Sequence, residues 1–117
     1  MSFHELVGIE VESAEEGRSR IRLDAGDRHL NPAGTVHGGA IATLVDTAMG
    51  AAVKTTGDGG TATVEMKVTY LEPARPGVLV VEALVRKRGR HITIVEAEVQ
   101  QDEELVAHAI GTFTSAN

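Results

Sequence analysis

Residues 38–53 read GGAIATLVDTAMGAAV, and this stretch decides the fold. At about 100° per residue, Ile41, Leu44, Val45, Ala48 and Ala52 share one arc of roughly 100°, the apolar stripe of a helix. Ala40, Ala42, Ala48, Ala51 and Ala52 keep its surface shallow, so a sheet or another helix can approach closely. Asp46 stands about 100° from Val45 and off the stripe's centre, so it faces something other than the main core. Thr43, Asp46 and Thr47 interrupt the apolar run, which is too short and too polar to span a bilayer.

Strands are expected on both sides of this helix. Ser2 to Leu6 has the makings of a short helix, and Val7 to Ser13 reads as a strand that turns at Glu15-Glu16-Gly17. Arg18 to Leu23 alternates strictly, with Arg18, Arg20 and Arg22 on one face and Ser19, Ile21 and Leu23 on the other. That is a half-buried strand with a wet, basic face. Ala25 to Thr35 holds Gly26, Asp27, Asn31, Pro32 and Gly34, and reads as loop. Past the helix, Asp58-Gly59-Gly60 is a turn. Thr61 to Leu71 puts Ala62, Val64, Met66, Val68 and Tyr70 on one face, with Thr61, Thr63, Glu65, Lys67 and Thr69 on the other. Pro73 and Pro76 end it, since two prolines do not fit a central strand. Val78–Arg88, Ile92–Gln100 and Leu105–Thr114 follow with short connections. The order predicts an α+β fold: a helix covering one face of an antiparallel meander of the four later strands.

Length and charge narrow the rest. The chain has 117 residues, a net charge of -6 and no cysteine. That length fits one domain, residues 1–117. Without cysteine there is no disulfide framework, thiolate zinc site, iron–sulfur cluster or thiol nucleophile. The acidic balance, with one tyrosine, two phenylalanines and no tryptophan, disfavours a nucleic-acid surface, which needs clustered cations and stacking platforms. No basic segment precedes an apolar run at the N-terminus, so a soluble, cytoplasmic protein off the membrane is expected. His29, His91 and His108 form no ligand motif and HExxH is absent, so neither metal nor cofactor is expected. A chain this short would struggle to enclose a ligand within one subunit.

The polar information is densest between His29 and Asp46. Asn31-Pro32-Ala33-Gly34-Thr35-Val36-His37-Gly38-Gly39 runs directly into the helix. Backbone N–H groups at a glycine-rich helix start, with the helix dipole, can hold a carbonyl oxygen as it becomes negative. An ordinary glycine-rich helix entry has the same sequence. The segment lacks a phosphate-loop pattern. Asp46 is either a solvent-facing carboxylate or a nucleophile or general base. His37 is an acid/base group, a support for the backbone, or a plain loop residue, and His29 reads as surface loop. Thr63 is an ordinary strand threonine or a useful hydroxyl, while Met66 and Tyr70 read as packing. Lys87, Arg88 and Arg90 form the densest positive patch, which is a solvated turn or a contact for a phosphate-bearing ligand.

The run from Asn31 through His37-Gly38-Gly39 to Leu44-Val45-Asp46-Thr47-Ala48, followed by Thr63-Val64-Glu65-Met66-Lys67-Val68-Thr69-Tyr70-Leu71, resembles the hotdog-fold acyl-CoA thioesterases of the phenylacetate-pathway type. The likeness spans nearly the whole chain. It implies a long central helix wrapped by an antiparallel sheet, and a homodimer with two shared active sites, commonly paired into a homotetramer. It implies an acyl-CoA substrate, aryl or medium-chain. Asn31 and Gly38 match the positions that polarise the thioester carbonyl, by side-chain amide and backbone N–H. His37 matches the support of that loop. Asp46 matches the nucleophile or general base contributed by the opposite subunit, and Thr63 a hydroxyl that orients water. Gly39, Lys87, Arg88 and Arg90 are the expected substrate contacts, the cations for CoA phosphates. A hydratase of the same fold is disfavoured by the absence of its Asp-to-His spacing. A non-catalytic acyl-CoA-binding or assembly protein is the alternative.

Overall fold

Strict alternation becomes a sheet face wherever one side must be dry. The computed structural model describes residues 1–117, and in it Arg18–Ala25 forms β2, with Ser19, Ile21, Leu23 and Ala25 buried and the arginines outward. Before it come α1 (Phe3–Val7) and β1 (Ile9–Glu15), and the hairpin closes through Glu16 and Gly17, both at positive φ. Two left-handed residues in succession give the turn whose twist suits paired strands. The later strands are β3 (Thr63–Tyr70), β4 (Gly77–Arg88), β5 (Ile92–Gln101) and β6 (Glu104–Thr114). Asp102 and Glu103 turn β5 into β6, again at positive φ.

All six strands form one antiparallel sheet in the order β1-β2-β4-β5-β6-β3. The meander expected from the sequence holds for β4, β5 and β6. It does not include β3, which leaves β4 altogether and pairs with β6 at the far edge. The Glu72–Gly77 segment is therefore a crossover rather than a hairpin. Its two prolines suit that, because a crossing segment has no ladder to donate to.

Helix α2 (Gly38–Lys54) lies on one face of this sheet. The predicted stripe of Ile41, Leu44, Val45, Ala48 and Ala52 is buried, together with Met49 and Val53. Its partners include Ile21 and Leu23 of β2, Leu79 and Val81 of β4, Val95 and Val99 of β5, and Phe113 of β6. Close approach needs small residues at particular points. A Cβ on Gly111 would lie 2.8 Å from the Met49 methyl, so β6 has glycine where the helix presses on it. Ser19 is buried on the same face, and its hydroxyl donates to the Ala48 carbonyl at 2.6 Å, so the polar group is satisfied. A long helix laid across an antiparallel sheet is the hotdog arrangement. No helix of the chain is long and apolar enough to cross a membrane.

Two local features differ from the simple alternation. Between Thr63 and Glu65 the β3–β6 register shifts: Thr63 pairs with Phe113 and Glu65 with Thr112. Val64 is the extra residue of a bulge and is 58% exposed. Directly paired residues share a face, so Thr63 joins the buried Phe113 on the helix side. Strict alternation put it on the opposite face. His29, read as a surface loop residue, is buried in a 3-10 turn at Asp27–His29. Its Nδ1 accepts the Gly26 N–H, and its Nε2 lies 2.6 Å from the Val7 carbonyl, which ties α1 to the body of the protein.

Candidate active site

The loop before α2 is wound around one side chain. Asn31 Oδ1 accepts the N–H groups of Ala33 (3.0 Å) and Thr35 (3.2 Å), and its Nδ2 donates to Thr35 Oγ1 at 2.8 Å. The backbone repeats the closure, with Asn31 N–H donating to the Thr35 carbonyl and Gly34 N–H to the Asn31 carbonyl. Gly34 sits at φ 85°, the left-handed region that glycine enters without cost from a Cβ. An amide nitrogen carries two hydrogens, so one N–H of Asn31 remains for a ligand, and the loop holds it in place.

His37 caps the helix. Its Nδ1 accepts the Gly39 N–H at 2.7 Å. With Nδ1 as acceptor, the neutral ring carries its proton on Nε2, on an exposed side chain. A Cβ on Gly39 would lie 2.9 Å from Nδ1, so the cap requires glycine there. The Gly39 N–H is thereby spent within the chain. Ala40 and Ile41 N–H groups donate to the His37 carbonyl. Of the first-turn donors this leaves the Gly38 N–H, which has no partner in the chain and lies beside the helix's positive end.

Asp46 sits two turns further along α2 and is half-buried. Thr63 Oγ1 donates to its Oδ1 at 2.6 Å. The bulge at Val64 creates this contact by turning Thr63 toward the helix. One carboxylate oxygen is thus fixed, while Oδ2 and the lone pairs of Thr63 Oγ1 stay free. Gly38 and Asp46 are eight residues apart, which is about 12 Å along the helix axis. One carbonyl group cannot touch both within one chain.

The basic cluster is divided. Paired residues run in a row from Arg88 to Thr93, Phe113 and Thr63, so Arg88 is on the helix side of the sheet, at the Thr63 end. Three strand spacings separate it from Thr63, about 14 Å. Its guanidinium donates to the carbonyls of Gly89 and Ala116. A register shift between Val85 and Lys87 sends Lys87 to the outer face, in line with Ile94 and Thr112. Arg90 lies in the exposed turn, where its carbonyl accepts from Asn117.

Tyr70 enters the site although alternation alone reads it as packing. It is 50% exposed, and its hydroxyl donates to the Gly38 carbonyl at 2.8 Å. With Val36, Ile41, Leu71, Pro73 and Ala74 it walls a cavity of about 360 Å³ beside the helix start. The signal available in the sequence was weak: a lone tyrosine near the end of a strand, beside a proline crossover. A second cavity of about 390 Å³ opens on the other side of His37 and Gly39, lined by Leu6, Arg28, Leu30, Ala40 and Thr43. The strand face thus clasps the helix with two hydroxyls, Tyr70 at its start and Thr63 at its middle.

Residues 33–108 match the model of the family described as the thioesterase superfamily. The chain belongs to that superfamily. It is 33% identical to human acyl-coenzyme A thioesterase 13 over 84% of this chain and 72% of that one. Among solved structures it is similar to a conserved protein of Pseudomonas aeruginosa, with 36% identity, a TM-score of 0.94, and 97% and 93% of the two chains covered. It is similar also to the PaaI protein of the Escherichia coli phenylacetic acid degradation operon, with 25% identity, a TM-score of 0.91, and 97% and 83% covered. This thioesterase is a thioester hydrolase. The match takes in the loop from Ala33, the helix start, Asp46 and Thr63, and Asn31 lies two residues before it.

Proposed function

We propose that this thioesterase hydrolyses acyl-CoA thioesters in sites shared between two subunits. One subunit supplies Asn31 and Gly38, and the other supplies Asp46 and Thr63. The observation that carries the proposal is the separation along α2. A free donor at Gly38 and a free carboxylate oxygen at Asp46 lie about 12 Å apart in one chain, yet both suit the same reaction. A two-fold partner with antiparallel helices brings one subunit's Gly38 toward the other's Asp46, twice per dimer. A homotetramer would be two such dimers.

The chemistry follows from the free valences. A thioester carbonyl seated between the Asn31 amide and the Gly38 N–H is polarised, and the two donors stabilise the negative oxygen that forms on attack. Asp46 Oδ2 and Thr63 Oγ1 can each accept one proton of a water molecule. That leaves the water's lone pairs aimed at the carbonyl carbon, and Asp46 takes the proton as the bond forms. Collapse of the tetrahedral species expels the CoA thiolate. In the other order of events, the Asp46 carboxylate attacks first and water cleaves the resulting anhydride. Recovery of ¹⁸O in Asp46 after a single turnover in labelled water identifies that second route.

His37 serves the site by capping the helix, and Gly39 contributes a bare Cα surface beside it. Arg88, on the helix side, and Arg90, in the turn beyond it, face the phosphates of CoA, whereas Lys87 points to the outer face and takes no part. The acyl preference lies between aryl and medium-chain groups. A panel of phenylacetyl-, benzoyl- and fatty-acyl-CoAs, read by release of free thiol, tests the function. Turnover of at least one member is expected, and a folded protein inert on all of them would contradict it.

A further inference from the structure

The Gly38-Gly39 pair opens helix α2 in the proposed site. Neither residue has a Cβ, and glycine surrenders more conformational freedom on ordering than any other residue. A donor contributes to catalysis only if it is already aimed before charge develops. Something must therefore hold these two residues still.

The Gly38 carbonyl and the Gly39 N–H are the two ends of one planar peptide unit. Both ends are held by side chains. His37 Nδ1 accepts the N–H at 2.7 Å, and Tyr70 donates its hydroxyl to the carbonyl at 2.8 Å. The preceding unit carries the open Gly38 N–H, and its carbonyl end is fixed by Ala40 and Ile41 N–H groups. The Gly38 Cα is the hinge between these two planes. The Tyr70 ring rests against that hinge, with Cζ and the hydroxyl each 3.4 Å from where a Gly38 Cβ would be. His37 reaches the hinge from the helix's own chain neighbourhood. Tyr70 reaches it from β3, the strand that also carries Thr63. Since the side chain is half-exposed, water could satisfy its hydroxyl, so burial does not force this bond.

We propose that Tyr70 is the positioning residue of the thioester-carbonyl site, fixing the Gly38 backbone so that the Gly38 N–H keeps its aim at the substrate oxygen. The inference rests on the acyl-CoA thioesterase reading above. Tyr70 touches no reacting atom. It acts through Gly38, and it makes one strand responsible for both halves of the machinery: the hydroxyl beside Asp46 and the brace behind the carbonyl-binding amide.

The test is Tyr70→Phe, which keeps the ring against Gly38 and deletes only the hydroxyl. With an acyl-CoA that the wild type turns over, kcat is expected to fall about 10- to 30-fold, less than the about 100- to 1000-fold that outright loss of one fixed donor costs, because the Gly38 N–H is misaimed rather than removed. The dissociation constant of an S-alkyl-CoA thioether, which has no carbonyl to bind, should stay within about twofold of wild type, because ground-state contacts survive. A merely structural role would weaken thioether binding and lower the melting temperature in step with kcat, and that outcome overturns the inference. So does a kcat within about twofold of wild type. An inactive wild type removes the acyl-CoA reading and this inference together. An active wild type with an unimpaired Tyr70→Phe removes this inference alone.

Discussion

The two polar stations on helix α2 are built in opposite ways. At its start, the Asn31 loop and the His37 cap spend most of their hydrogen-bonding capacity on their own backbone, leaving one amide N–H at Asn31 and one at Gly38. At its middle, Asp46 is held by one hydroxyl, from Thr63, and is otherwise open. The first station is a rigid pair of donors; the second is a reactive group with one restraint. The difference matches the two tasks of thioester hydrolysis. Stabilising a developing charge needs preorganised dipoles, whereas moving a proton needs a group free to change its own charge. It also predicts that damage at the two stations will look different.

The largest effect should come from Asp46→Asn, which keeps the shape and removes the charge. Turnover is expected to fall by about 100- to 10,000-fold, with the melting temperature nearly unchanged, since Asn can still accept from Thr63. Wild-type-like kcat would break the comparison at its reactive end. Asn31→Ala comes next, at about 100- to 1000-fold in rate. Here stability should fall too, because the N–H groups of Ala33 and Thr35 lose their acceptor. A variant that lost rate without stability would mean that the loop holds itself by other means.

Smaller effects sharpen the account. Thr63→Val removes the hydroxyl at constant shape and should cost about tenfold in kcat, the worth of one hydrogen bond to a charged group. Thr63→Ser should keep most of the activity, and a dead serine variant would show that the threonine methyl, not the hydroxyl, matters. Arg88→Ala should raise the KM for acyl-CoA several-fold but leave a truncated thioester without phosphates unaffected. Equal effects on both substrates would assign Arg88 to its bonds with the Gly89 and Ala116 carbonyls instead.

These contrasts also show what the sequence could and could not disclose. The helix was legible because five of its side chains obey one period, and β2 because three arginines alternate with Ser19, Ile21 and Leu23. Asn31, Gly38 and Asp46 stand out as candidates because they flank or lie within that helix. The partner of β3 was not legible. Alternation says which face a residue takes, not which strand lies alongside, and chain order suggested β4 where the fold supplies β6. The bulge at Val64 was hidden for a related reason. An inserted residue leaves the composition of a strand unchanged and only the pairing partner, Phe113, records it. That one residue decides whether Thr63 meets Asp46 or solvent. Residue type hides the roles of Tyr70 and His29, since a tyrosine on an apolar strand face and a histidine in a loop give no hint of the carbonyls they bond.

The central claim is that each site draws on two subunits. It is tested most directly by mixing two inactive variants, Asn31→Ala and Asp46→Asn, under conditions where subunits exchange. If the site is shared, a mixed dimer has one site with both lesions and one with neither. Random reassortment makes about half of the dimers mixed, so activity should return to about a quarter of wild type. If Asn31 and Asp46 act within one chain, every site keeps one lesion, and the mixture will remain as inactive as its parents.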